Sequence, residues 1–100
     1  MYSILQTDEF EEWLDSLRDR KAQAAIRNRL LQIEGGLLGD VRSLGDRVSE
    51  ARIHYGPGYR LYFTMQDLVV IVLLCGGEKR SQRRDVKKAK KLASRLGEAE

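Results

Sequence analysis

Arg52 and His54 stand two residues apart in "EARIHYGPGYRLY" (50–62), and Arg60 and Tyr62 repeat that spacing beyond a Gly-Pro-Gly turn. On a strand, residues two apart point to the same side, about 7 Å from one another. A hairpin then brings the two pairs together as cross-strand neighbours. Further along, "GGEKR" (76–80) adds Lys79 and Arg80, on what reads as a glycine-flexible loop entering a helix. The first turn of that helix offers free backbone N–H groups. Cationic groups assembled this way suit a phosphodiester, because arginine and lysine stabilise the added negative charge of a pentacoordinate phosphorane. His54 is the chain's single histidine, and histidine is the side chain best placed to exchange a proton near neutrality. RNA as substrate brings its own nucleophile, the 2′-OH, so the protein needs neither a nucleophilic side chain nor a metal. The plainer readings are a partly exposed strand histidine, surface pairs of Glu50 with Arg52 or Arg60, and a solvated lysine-rich helix.

Other chemistries find little support. One histidine and one cysteine on different elements make no zinc site and point to no cofactor. "GGEK" (76–79) lacks the length and spacing of a phosphate-binding P-loop. A lone histidine among arginines makes no Ser-His-Asp arrangement. Cys75 ends the apolar run "LVVIVLLC" (68–75) and reads as a buried, inert thiol with no disulfide partner. That run is too short to cross a bilayer, and "MYSILQTDEF" (1–10) does not read as a signal peptide, so a cytoplasmic protein without membrane contact is expected. The net charge is +3, unevenly spread: residues 1–50 hold 7 Lys/Arg against 10 Asp/Glu, and residues 51–100 hold 11 against 5. This asymmetry points to an anionic partner, nucleic acid more than membrane.

The elements that must position these groups form one domain spanning residues 1–100. "MYSILQ" reads as a short first strand. Thr7 or Asp8 caps a helix whose stripe is Phe10, Trp13, Leu14 and Leu17. A second helix, about 21 to 34, has Ala22, Ala25, Ile26, Leu30 and Ile33 inward, Arg20, Arg27 and Arg29 on its solvated face, and Gly35–Gly36 as its stop. "GGLLGDVRSLGD" (35–46) reads as loop. "VSEARIHY" (48–55) and "YRLYFTMQD" (59–67) alternate as strands, around a type II turn with Pro57 second and Gly58 third. "LVVIVLLC" reads as a central strand covered on both faces and ended by Gly76 and Gly77. A last helix, roughly 82 to 96, capped by Ser81, places Val86, Ala89, Leu92, Ala93 and Leu96 inward. Order is expected throughout, save for the terminal "GEAE" (97–100). The expected fold is α+β, in the order β-α-α-β-β-β-α. A helical hairpin covers one sheet face, and the face with Glu50, Arg52, His54, Arg60 and Tyr62 is left concave or partly open.

Three stretches carry a family resemblance: residues 7–40, "VSEARIHYGPGYRLYF" (48–63) and "LLCGGEKRSQRRDVKKAKKLA" (73–93). Through E-x-R-I-x-Y-G-P-G-Y-R-x-Y-F and G-G-x-K-x-x-Q-x-x-D-[IV]-x-x-A the whole chain resembles the RelE/ParE superfamily of bacterial toxin–antitoxin modules. It looks most like the HigB-like branch of phage-derived addiction module killer proteins. The resemblance implies a compact RelE-like fold with a small, mainly antiparallel sheet, and a growth-inhibiting toxin. In RelE and HigB relatives that activity is metal-independent cleavage of mRNA in the ribosomal A site, by 2′-OH attack on the adjacent phosphate. In ParE relatives it is inhibition of DNA gyrase. A degenerate member acting only in an autorepressing complex is the third alternative. On the nuclease reading Arg52, His54, Arg60 and Lys79 are the catalytic candidates. Tyr62 would stack on or orient a base, and Arg80, Arg83, Arg84, Lys87, Lys88 and Lys91 would contact RNA. Some nuclease members use a C-terminal tyrosine or histidine, and the segment after Lys79 has neither. The implied partners are the ribosome with its mRNA and a cognate antitoxin, typically a helix-turn-helix protein from the neighbouring gene. Operator DNA is reached only through that antitoxin.

Overall fold

Thr7 starts the first helix. Its hydroxyl accepts the Phe10 N–H (3.1 Å) and donates to the Leu74 carbonyl (2.6 Å), so one side chain caps the helix and ties it to the sheet. The computed structural model describes residues 1–99. Strand β1 (Ser3–Gln6) leads into helices α1 (Asp8–Ser16) and α2 (Arg20–Glu34). Strands β2 (Val41–Gly45), β3 (Val48–Ile53), β4 (Tyr59–Met65) and β5 (Val70–Glu78) follow. A 3-10 turn, Lys79–Ser81, then enters α3 (Gln82–Ala99), which continues through most of the expected terminal fray; Glu100 lies outside the described residues. The sheet order is β1-β5-β4-β3-β2, with β1 parallel to β5 and every other pair antiparallel. The chain is α+β, with a five-stranded mixed sheet and three helices.

The expected element order is one strand short. Val41–Gly45, read as loop from its glycines and aspartates, is the edge strand β2 paired with β3. Its glycines punctuate the strand instead of excluding it. Asp46 and Arg47 both have positive φ (52° and 65°), the backbone of a tight hairpin turn between β2 and β3. The second hairpin also differs in detail. Its hydrogen bond runs from the Gly58 N–H to the Tyr55 carbonyl (3.0 Å), so the closed turn starts at Tyr55 and Pro57 stands third. Positive φ at Gly56 (56°) and Gly58 (82°) makes both glycines necessary there. Leu68 and Val69 precede β5 and are exposed.

Gly76 and Gly77 do not end β5. They pair with Leu61 and Arg60 inside it. A Cβ on Gly76 would enter the Trp13 ring on one face of the sheet, and a Cβ on Gly77 would enter the Asp85 carboxylate on the other. The glycines mark close approach, not flexibility.

Two cores flank the sheet. On one face Phe10, Leu14, Ile26 and Ile33 of α1 and α2 pack on Ala51, Leu61, Phe63, Ile71 and Leu73. On the other, Ala89 and its helical neighbours on α3 pack on Val48, Tyr62, Val72, Leu74 and Cys75. The strand Val70–Glu78 is therefore covered on both sides, as its unbroken apolar run requires. The second face, expected to be concave or partly open, is capped by α3 over Glu50 and Tyr62. Glu50 and Tyr62 lie wholly beneath it, each 0% exposed. A base cannot stack on Tyr62. Burial, then the nearby Glu50 and Asp85 charges, pushes its phenol well above the ordinary tyrosine range. The Cys75 thiol is buried and pushed up to about 12, first by desolvation, which leaves it inert. Among the described residues no helix is long and apolar enough to cross a membrane.

Candidate active site

Where α3 stops covering the sheet, the ends of β3 and β4 and the start of the 3-10 turn stay open. Arg52, His54, Arg60 and Lys79 meet there around a shallow depression of about 170 Å³, which Gly58 also lines. The sequence spread these four over 28 positions, and pairing collects them. Arg52 is the direct partner of Arg60 across the hairpin, and Arg60 is the partner of Gly77 on β5. The Lys79 N–H bonds the Gly58 carbonyl (2.9 Å), which fixes the turn after β5 against the hairpin tip.

Like charges directly opposite one another repel. Each arginine is met by its own carboxylate. Arg60 Nη1 bonds Glu50 Oε1 at 2.6 Å, with side-chain exposures of 12% and 0%. The other Glu50 oxygen accepts from Gln82 Nε2 (2.9 Å), at the first residue of α3. This is an interior pair holding a guanidinium at the rim, not a surface pair of little consequence. Arg52 Nη2 bonds Asp40 Oδ1 at 2.9 Å, and His54 Nε2 lies 2.7 Å from Asp40 Oδ2. The Arg52 Nε is buried without a partner. Lys79 is exposed and has no acidic partner among the described residues. Arg52, Arg60 and Lys79 face two carboxylates, those of Asp40 and Glu50, so the depression keeps net positive charge.

Two residues of this site were not legible in the sequence. Asp40 lay in an apparent loop, and Arg29 on an apparently solvated helix face. Arg29 is half-buried and turned inward. Its guanidinium donates to the carbonyls of Leu38 (3.1 and 2.9 Å), Asp40 (3.1 Å) and Arg52 (2.8 Å). Burial lowers its pKa from the ordinary arginine value, against the opposing pull of Asp40. Arginine stays charged regardless. No spacing rule links positions 29, 40 and 54; only the closing of the loop onto β3 does.

The basic residues of the last helix are placed elsewhere. Arg80, Arg83, Arg84 and Lys87 line a broad depression of about 640 Å³ with Ser81. Arg80 pairs with Glu78 (3.3 Å) and Arg84 with Asp85 (3.7 Å). Lys88 is exposed. Lys91 borders a third hollow beside Asp46, Arg47 and Lys90. Ser81 serves Asp85 with its hydroxyl (2.5 Å) at the junction into α3. Among the described residues no group of three or more His, Cys, Asp or Glu is placed to hold a metal ion.

The Asp40 carboxyl is held below the usual carboxylate range, first by its hydrogen bond with His54 and then by that with Arg52. A carboxyl whose folded pKa lies below its unfolded value stabilises the fold above the unfolded value. That contribution is lost as pH falls through the folded one. Asp40→Asn is therefore expected to be less stable than wild type at neutrality, with the difference closing below about pH 4. Urea midpoints at pH 7 and in acid measure this. An equal deficit at both values would remove the linkage.

The chain matches no protein-family profile. A curated relative, an uncharacterized protein of Haemophilus influenzae, is 43% identical over 94 residues, which cover 94% of this chain and 95% of the relative. With that likeness running almost end to end, the chain belongs to the same family as this Haemophilus influenzae protein.

Proposed function

We propose that this protein is a RelE-like toxin of a type II toxin–antitoxin module that stops translation by cutting mRNA on the ribosome. The observation that carries the reading is the meeting of Arg52, His54, Arg60 and Lys79 in one open depression of net positive charge. In the reaction the 2′-OH attacks the adjacent phosphorus and the P–O5′ bond breaks. Arg60 and Lys79 stabilise the phosphorane, Arg52 positions the RNA backbone, and His54 exchanges protons. The products are a 2′,3′-cyclic phosphate and a 5′-hydroxyl, and no metal takes part. Arg80 in the 3-10 turn and Arg83, Arg84, Lys87, Lys88 and Lys91 along α3 supply phosphate contacts to ribosomal RNA. Tyr62 drops out of the RNA contacts because it lies in the core. A helix-turn-helix antitoxin from the neighbouring gene, which alone touches operator DNA, is the partner that restrains the toxin.

Lys79→Ala is the clean test, because the Lys79 side chain is exposed and bears no ion pair among the described residues. Primer extension on cellular mRNA after induction is expected to show codon-phased cuts with the wild-type chain. Lys79→Ala should weaken them roughly 100-fold, the loss of one transition-state donor. Growth arrest with intact mRNA would overturn the proposal. Inhibited supercoiling by purified gyrase would then identify a ParE-like binder.

A further inference from the structure

The His54 side chain is 76% exposed, and the one hydrogen bond of its ring among the described residues is that of Nε2 with Asp40. Its orientation therefore depends on the bond from Nε2 to Asp40. Asp40, in turn, sits on a segment with no regular structure between α2 and β2. We propose that Arg29 and Asp40 are positioning residues for His54: Arg29 clamps the backbone at Leu38, Asp40 and Arg52, and the Asp40 carboxylate so held engages Nε2 and leaves Nδ1 to meet the substrate. This rests on the reading of His54 as the proton-exchanging group.

The clamp has four parts. The Arg29 guanidinium binds two carbonyls of the loop and one of β3, so it fixes the loop relative to the strand. The Arg52 N–H closes the same junction from the other side by donating to the Asp40 carbonyl (2.9 Å). Gly39 lets the loop lie flat on the guanidinium: its φ is 74°, and a Cβ there would come within 2.9 Å of Arg29 Nη2. Both Asp40 oxygens are then committed, one to Arg52 and one to His54, so the carboxylate cannot turn without breaking a bond. In the neutral ring, Nε2 carries the proton that Asp40 accepts, and the lone pair of Nδ1 is the base. Nδ1 has no partner among the described residues. The charged groups around the ring are Asp40 from the loop, Arg52 on β3, Arg60 on β4 and Lys79 after β5, with Arg29 behind Asp40.

The chain's single histidine makes the test direct. Long-range proton–nitrogen spectra of the full ¹⁵N-labelled chain are expected to show one neutral tautomer of His54, protonated on Nε2. In Asp40→Asn the amide offers Nε2 a donor instead of an acceptor. In Arg29→Lys the charge remains, but one ammonium replaces a fork that spans three carbonyls. Each is expected to shift the tautomer ratio toward Nδ1–H by about tenfold, the worth of one charge-assisted hydrogen bond. The rate of mRNA cleavage should fall in parallel. If Arg29→Lys fails to fold, Gly39→Ala presses on the same guanidinium and should shift the ratio in the same direction. Unchanged tautomer ratios in the folded variants overturn the proposal, even where cleavage is lost. If the wild-type chain cuts no mRNA, the nuclease reading falls, while the ratios still decide whether Arg29 and Asp40 set the ring.

Discussion

Arg60→Ala is expected to cut mRNA cleavage roughly 100- to 1,000-fold and, separately, to destabilise the fold by about 3–5 kcal/mol. The second effect comes from Glu50. Its carboxylate is 0% exposed, and Arg60 is the only cation paired with it among the described residues, Gln82 supplying a single neutral donor. Removing the arginine strands a buried charge, which costs far more than the net worth of the pair. A loss of toxicity in Arg60→Ala alone therefore has two possible sources. The double variant Glu50→Gln/Arg60→Gln separates them. Both groups become neutral and similar in size, so much of the stability should return while cleavage does not. Urea midpoints and primer extension on the same three proteins provide the readout. A single variant as stable as wild type would show that Glu50 does not need Arg60. A double variant that cuts like wild type would remove Arg60 from the chemistry.

Gly77→Ala is expected to lower stability by about 1–3 kcal/mol, the usual range for forcing an extra carbon into a packed site. In a domain of this size that lowers Tm by roughly 5–20 °C. The added Cβ would meet the Asp85 carboxylate and lie 3.0 Å from Ser81 Oγ. Relief requires α3 to move off the sheet at the end that fixes Lys79 and Gln82. The same change at Gly97 is the control: it lies in α3 with open space around a Cβ, and alanine there should stabilise by up to about 1 kcal/mol. Thermal unfolding followed by circular dichroism compares the two. A Gly77→Ala protein melting within a degree of wild type would show that the sheet and α3 leave room for a Cβ there.

The apolar pattern carried most of the fold. The stripes of α1, α2 and α3 and the alternation within β3 and β4 lie where period put them, and the apolar run forms β5 from Val70 onward, two residues later than expected. Each of those signals is local, set by which side of an element faces away from water. Two of the misreadings share a cause. Glycine reads as a mark of loop at positions 35–46 and of a strand end at positions 76–77. In the first stretch the glycines bracket a short edge strand. In the second they sit inside β5 because Trp13 and Asp85 occupy the space of a side chain. Glycine permits both, and the sequence holds no local sign of which neighbour presses on it.

The same distinction runs through the site. His54, expected on the same strand as Arg52, lies one residue past the end of β3, but residue types and spacing of two placed Arg52, Arg60 and Tyr62 on one side of a hairpin, and the turn chemistry of Gly56-Pro57-Gly58 folded that hairpin back. Those are nearest-neighbour matters, settled by the pleat of a strand. What covers the hairpin, and what pairs with its charges, is decided over long separations. The docking of α3 buried Tyr62 and Glu50 while sparing Arg52 and Lys79. The loop held by Arg29 brought Asp40 to His54, 14 residues away. The order of residues along the chain settles which groups are available and which way each strand turns them. Tertiary structure alone decided which of them meet water and which meet a counter-charge, because desolvation and ion pairing depend on distances between elements that no local period encodes.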